Sequence, residues 1–326
     1  MKNMSIMTGI LTLTAMIVTI AGSGVSAAAG ESSSGGMLRE YITEDNMPVG
    51  GWEPAEIIRI DEDVEINVNS GVLRSSRSVI NSDPDSAFTK GVGSVGYNSL
   101  NEAQRSVYAS INTAALQFHY ATEDLQPTLM TISGRGEEFY YIAARIDYAD
   151  HGLTTNEMYQ TFIAYDYDHP AYYWIANQTL CSDREFFICT CAEYASAAER
   201  SRINNLIENG VRKYAAVADK CGLTLDKITA IHDMVVTDVD YAYKSDGTTP
   251  EGAKWAHSVQ GVFDRTHSHV VCEGYADVFS LMMNYLGIPN YYIVGTASGG
   301  GAGSGGGHAW NAVSDDGGLT YMYMDR

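Results

Sequence analysis

Cys272, His308 and Asp325 supply a thiol, an imidazole and a carboxylate, in that order, in the C-terminal part of a 326-residue chain. A thiolate attacks carbonyl carbon, an imidazole carries the proton, and a carboxylate fixes the imidazole's tautomer and orientation. The three residues therefore have the chemistry of acyl transfer, provided that the elements bearing them bring them together.

A helix and a hairpin must do that positioning. Tyr275, Phe279, Met282, Met283 and Leu286 fall on one helical face, and Gly287, Ile288 and Pro289 are stop signals. The spacing predicts a buried helix beginning at or just after Cys272. Unpaired N–H groups and the positive end of the helix dipole would stabilise a thiolate there, and the same N–H groups are candidate oxyanion donors. His308 to Val313 and Leu319 to Asp325 read as strands around the turn-forming run Asp315, Asp316, Gly317 and Gly318. A four-residue loop with Ser314 opposite Leu319 sets His308 directly opposite Asp325, close enough for a carboxylate to hold one ring nitrogen. A slip of one residue would put the two on opposite faces.

Cys-Glu-Gly-Tyr-Ala at 272–276, Leu-Gly-Ile-Pro at 286–289, Gly-His-Ala-Trp-Asn at 307–311 and Asp325 resemble the core of the transglutaminase-like superfamily. Ile231, His232 and Asp233 also resemble the helix that precedes this core in secreted bacterial members. The resemblance covers roughly the last hundred residues. It implies a papain-like α+β fold with N-terminal helices on an antiparallel sheet, Cys272 as nucleophile, His308 as base and Asp325 as orienting acid. Two departures accompany it. Relatives usually continue past the Asp with a Trp-containing segment and further strands, so a C-terminally truncated chain is one expectation. The upstream Trp of animal transglutaminases has no counterpart, since Trp255 lies too close to Cys272.

The expectation for function is a secreted thiol enzyme that acts on amide bonds of proteins or peptides, resolving its thioester with an amine or with water. The alternative is a non-catalytic cell-surface binding or scaffolding module that keeps the fold. No cofactor or metal is required by the chemistry, and no calcium site of the kind some animal relatives use is recognisable. A net charge of −20 argues against nucleic acid and against an anionic membrane surface as partners. Protein or peptide substrates and association with the cell envelope are compatible with it.

Residues 1–29 have a secretory-signal pattern: Lys2, an apolar run from Ile10 to Ile20, and small residues around Ala27. An uncleaved anchor is the alternative, although Ser, Thr and Gly interrupt the apolar run. Residues 30–95 are rich in Ser, Gly, Asp and Asn and read as a flexible leader, or as a pro-segment over the thiol. Residues 96–192 read as a mixed α+β module. There Ser99 with Glu102 and Thr154 with Glu157 form capping boxes, and strands are expected at Phe139–Ile146, Tyr172–Ile175 and Phe186–Cys191. Residues 193–326 read as the catalytic domain, opened by helices over about 193–220 and 225–239.

Several competing signals surround the site. Asp168-His169 before Pro170 reads as a polar turn rather than a catalytic pair, and His232 as a structural histidine. His267, His269 and Cys272 form a weak candidate metal set, and His269 is a second candidate base. The glycine-rich run 299–307 lacks the Lys-Ser or Lys-Thr of a phosphate loop and is either a flap or a strand connection. Cys181, Cys189, Cys191 and Cys221 allow one or two disulfides or stand as buried free thiols, which spacing does not decide.

Overall fold

A computed structural model describes residues 56–60, 83–296 and 307–325. The signal segment, much of the leader and residues 299–306 of the glycine-rich run lie outside these residues. The elements in chain order begin with strand β1 (Glu56–Arg59), short helices α1 (Ala87–Lys90) and α2 (Val95–Ser99), and the long helix α3 (Glu102–His119). Thus parts of the stretch expected as leader are built into the fold, because they carry apolar side chains to bury: Ile58 and Phe88 are 4% and 3% exposed. Helix α3 starts two residues later than its expected cap. Asn101 caps it and Gln104 reaches back to complete the box, while Ser99 ends α2 and bonds Gly96.

Next come β2 (Thr128–Ile132), β3 (Gly136–Asp147), α4 (Thr155–Asp168), β4 (Ile175–Cys181) and β5 (Glu185–Thr190). Thr154 and Glu157 form the expected box at the start of α4. The strand expected from Tyr172 begins only at Ile175, because the Tyr172 and Tyr173 amides bond the His169 and Ala171 carbonyls in a turn after Pro170. These strands form one sheet in the order β1-β4-β5-β3-β2, antiparallel except for β1 against β4. Asp168 accepts from the Gly96 and Tyr97 amides and the Tyr108 hydroxyl, and the His169 ring stacks on Tyr165 at 3.9 Å. Both residues are structural in this arrangement.

Helices α5 (Ala197–Ala218) and α6 (Thr224–Asp238) lead into β6 (Asp240–Tyr241), α7 (Val259–Phe263), β7 (His269–Val270) and α8 (Cys272–Tyr285). The chain then forms a three-stranded antiparallel meander: β8 (Asn290–Thr296), β9 (Gly307–Val313) and β10 (Met322–Met324). Helix α8 ends as its sequence demands: Gly287 takes a left-handed φ of 67° and the Ile288 amide folds back to the Met283 carbonyl at 2.8 Å. The result is a mixed α/β protein in which one buried cluster includes Phe88, Trp174, Ile203, Phe279 and Met324. All five cysteines are free thiols.

A buried polar chain docks α8 on the meander. Asn311 of β9, 2% exposed, donates to the Ala276 carbonyl (3.2 Å) and the Ser280 hydroxyl (2.9 Å). Ser280 donates to Asn290 of β8, which donates to Asn284 at 2.8 Å. Replacing Asn311 with Ala would remove both bonds of a buried amide that tie β9 to α8, at a cost of about 1–3 kcal/mol. Urea unfolding of Asn311→Ala should show that loss with an unchanged m-value; wild-type stability would show that the chain does not dock the helix.

Candidate active site

Val271 is the extended N-cap of α8, with φ −87° and ψ 179°, and makes no side-chain cap bond. Cys272 is therefore the first helical residue, where backbone N–H groups lack helical acceptors. Gly274 lets the preceding turn come close: a Cβ there would stand 2.7 Å from the Val270 Cβ and 2.9 Å from the Ala256 carbonyl oxygen.

His308 lies near the start of β9. Its Nε2 is 2.9 Å and 3.0 Å from the two carboxylate oxygens of Asp325, and its ring also interacts with the Cys272 side chain. With Nε2 given to the carboxylate, Nδ1 is left for the sulfur. Cys272, His308 and Asp325 thus come together, although not by the expected register. Val313 pairs with Met322, Ala312 with Tyr323 and Asn311 with Met324, so that the continuing register sets Asp325 across from Trp310. The connecting loop is longer than the four residues expected. Asp316 accepts the Leu319 and Thr320 amides and the Thr320 hydroxyl, which holds these residues in the loop instead of the strand. The shift amounts to two residues, an even number, so Asp325 keeps the face of His308 and reaches it diagonally.

Asp325 first, then Cys272, push the His308 pKa up to about 10 against the opposing effect of burial. The ring is thus imidazolium at neutral pH, next to the thiol, and it stacks on Trp310 at 5.5 Å. The raised value also makes His308 a source of stability that is complete below an unfolded value of about 6.5 and is lost as pH rises through about 10.

Tyr241, missed by the sequence reading, also touches the thiol. It pairs with Val270, two residues before Cys272, and its hydroxyl faces the backbone N–H and the side chain of Cys272. Burial first, then the nearby Cys272, push its pKa up to about 12. Only the parallel pairing of two short strands, β6 and β7, brings Tyr241 to the helix start. No spacing rule announces such a pairing.

A cleft runs from Cys272 between α6, α8 and β9, lined by His232, Val235, Tyr275, Phe279, Trp310 and Met324 among others. His232 Nδ1 is 3.2 Å from the neighbouring Asp233 carboxylate. The alternative sets do not assemble. His267 stacks on Trp255 at 4.0 Å, His269 is exposed with Nδ1 against the His267 carbonyl, and no metal-holding trio of His, Cys, Asp or Glu occurs among the described residues. On the far side of the first turns of α8, Glu273 and Asp277 meet Asp166 and Tyr292. Burial, then the Glu273 charge, raise Asp277, and burial pushes Asp166 up to about 6.

Residues 213–325 match the family model described as the transglutaminase-like superfamily, so this region is transglutaminase-like. No curated protein matches the chain. A solved structure described as "Crystal structure of a TGase" aligns over 46% of this chain and 43% of its own, at 15% identity and a TM-score of 0.32. That alignment spans under half of either chain.

Replacing Asp325 with Asn removes the leading cause of the His308 shift. Titration of the His308 ring by NMR should give a midpoint near 10 in the wild type and at least about one unit lower in Asp325→Asn; equal midpoints would show that Asp325 does not set it.

Proposed function

We propose that the chain is an exported thiol acyl-transfer enzyme acting on amide bonds of proteins or peptides, with Cys272 as nucleophile, His308 as proton carrier and Asp325 as its orienting acid. The observation that carries the reading is that the His308 ring, bonded to the Asp325 carboxylate, also interacts with the Cys272 side chain at the first turn of α8. The family match over 213–325 supports the same reading, and the signal-like N-terminal pattern supports export.

The steps follow from the placement of these groups. The Cys272 thiolate attacks the amide carbonyl carbon; a C–S bond forms and the carbonyl electron pair moves to oxygen. The unpaired N–H groups at the start of α8 and the Tyr241 hydroxyl are the candidate donors to that oxyanion. Collapse breaks the C–N bond, and the His308 imidazolium gives its proton to the departing amine, leaving a thioester and a neutral ring. Asp325 keeps the ring in place through Nε2. Water or a second amine then attacks the thioester carbonyl, gives its proton to His308 and expels the thiolate. The product is a carboxylic acid or a new amide, and the site returns to its starting protonation.

Incubating the full chain with a reactive peptide ester and reading intact mass tests this sequence. The wild type should gain one acyl group on Cys272, which hydroxylamine removes; Cys272→Ala should gain none there, and Asp325→Asn should acylate slower by about 10²–10⁴-fold. Equal acylation of the wild type and Cys272→Ala would contradict the reading and leave a non-catalytic module.

A further inference from the structure

The charged pair nearest the helix start, outside the three residues above, is His257 with Glu273. His257 ends a single 3-10 turn, Lys254–His257, that packs on the beginning of α8, where the Val271 amide donates to the Ala256 carbonyl at 2.9 Å. Its Nδ1 is 2.6 Å from Glu273 Oε2, and its Nε2 is 2.8 Å from the Glu251 carbonyl oxygen. The two side chains are 19% and 22% exposed. A carboxylate and a carbonyl have no proton to give. A neutral imidazole owns one N–H and can satisfy only one of them, so both bonds together require the imidazolium. Glu273 suits the positive end of the helix dipole, yet it places negative charge one residue from the sulfur that must itself become negative.

We propose that His257 is a positioning residue for the thiol: as an imidazolium clamped between Glu251 and Glu273, it fixes the first turn of α8 and offsets the carboxylate beside Cys272. The proposal rests on the acyl-transfer reading of Cys272. Lys254, from the same turn, opposes the charge on His257. Asp277 from α8 and Asp166 from α4 interact with Glu273, and burial raises both toward their neutral forms. Tyr292 from β8 feels both Glu273 and Cys272, and His308 with Asp325 close the other side of the sulfur. Burial works against the charged ring, but the Glu273 bond and charge with the Glu251 carbonyl outweigh it and raise the His257 pKa. A raised value means that the clamp is complete below the ordinary imidazole value of about 6.5 and opens as pH rises through the folded one.

The test is the rate of Cys272 alkylation by iodoacetamide from pH 5 to 10, resolved by peptide mass, in the full chain as wild type, His257→Gln, Glu273→Gln and the double variant. Unshielding Glu273 in His257→Gln should slow alkylation at pH 7 by about three- to tenfold and displace the profile to higher pH. Glu273→Gln should displace it to lower pH. The double variant, like the wild type, carries no net charge at the pair and should lie close to it. A merely structural role would lower the melting temperature in all three variants without this opposed pattern. Superimposable profiles, or a double variant as slow as His257→Gln, would overturn the proposal; if His257→Gln does not fold, an unmoved profile in Glu273→Gln does so. Alkylation reads the thiol rather than turnover. A wild type that forms no acyl-enzyme but shows the opposed pattern would therefore sustain the role of His257 while removing the acyl-transfer reading.

Discussion

The geometry of the site depends on how helix α8 is docked on strand β9. Cys272 and His308 belong to different elements, and nothing local keeps a helix N-terminus and a strand within hydrogen-bond reach. The buried amide of Asn311 does so by bonding the Ala276 carbonyl and the Ser280 hydroxyl. The Asn290–Asn284 pair extends the polar chain to β8 and the end of the helix. Apolar packing is non-directional, so it does not by itself aim the Cys272 end of the helix at His308. Hydrogen bonds lose strength over a few tenths of an ångström, so the chain from Asn311 to Asn284 fixes the position of α8 along the meander.

That fixed position sets the electrostatics. The helix start offers unpaired N–H groups, but its first turn also carries Glu273, and the chain as a whole has a net charge of −20. Two histidines oppose this negative field around the sulfur. His308 is held charged by Asp325 and Cys272, and His257 by Glu273 and the Glu251 carbonyl. Each imidazolium owes its charge to partners supplied by other elements of the fold, so the protonation state follows from the tertiary structure. The closeness that the arrangement needs is visible at Gly274, where any side chain would meet the Ala256 carbonyl.

The elements that position the site were readable in the sequence to different degrees. Helix α8 was legible at both ends, since its apolar period and the Gly287-Ile288-Pro289 stop depend on local rules. The hairpin was legible in face and not in register. Sequence marks Asp315 to Gly318 as a turn but does not reveal that Asp316 also gathers Leu319 and Thr320 into the loop. The pairing moved by two residues, and the contact between His308 and Asp325 survived because side-chain direction in a strand has a period of two. Tyr241 and His257 left no trace in the sequence reading. Both reach the site by contacts between segments far apart in sequence, and neither sits in a motif with a known period.

The central claim is that the thiol of Cys272 and the ring of His308 act as one ionised pair. The most direct measurement is the pH dependence of Cys272 alkylation in the wild type and in His308→Ala. The account predicts that toward acid pH the wild type is alkylated faster than His308→Ala, whose profile should lie at higher pH because the imidazolium that favours the thiolate is gone. Coincident curves for the two proteins would contradict it.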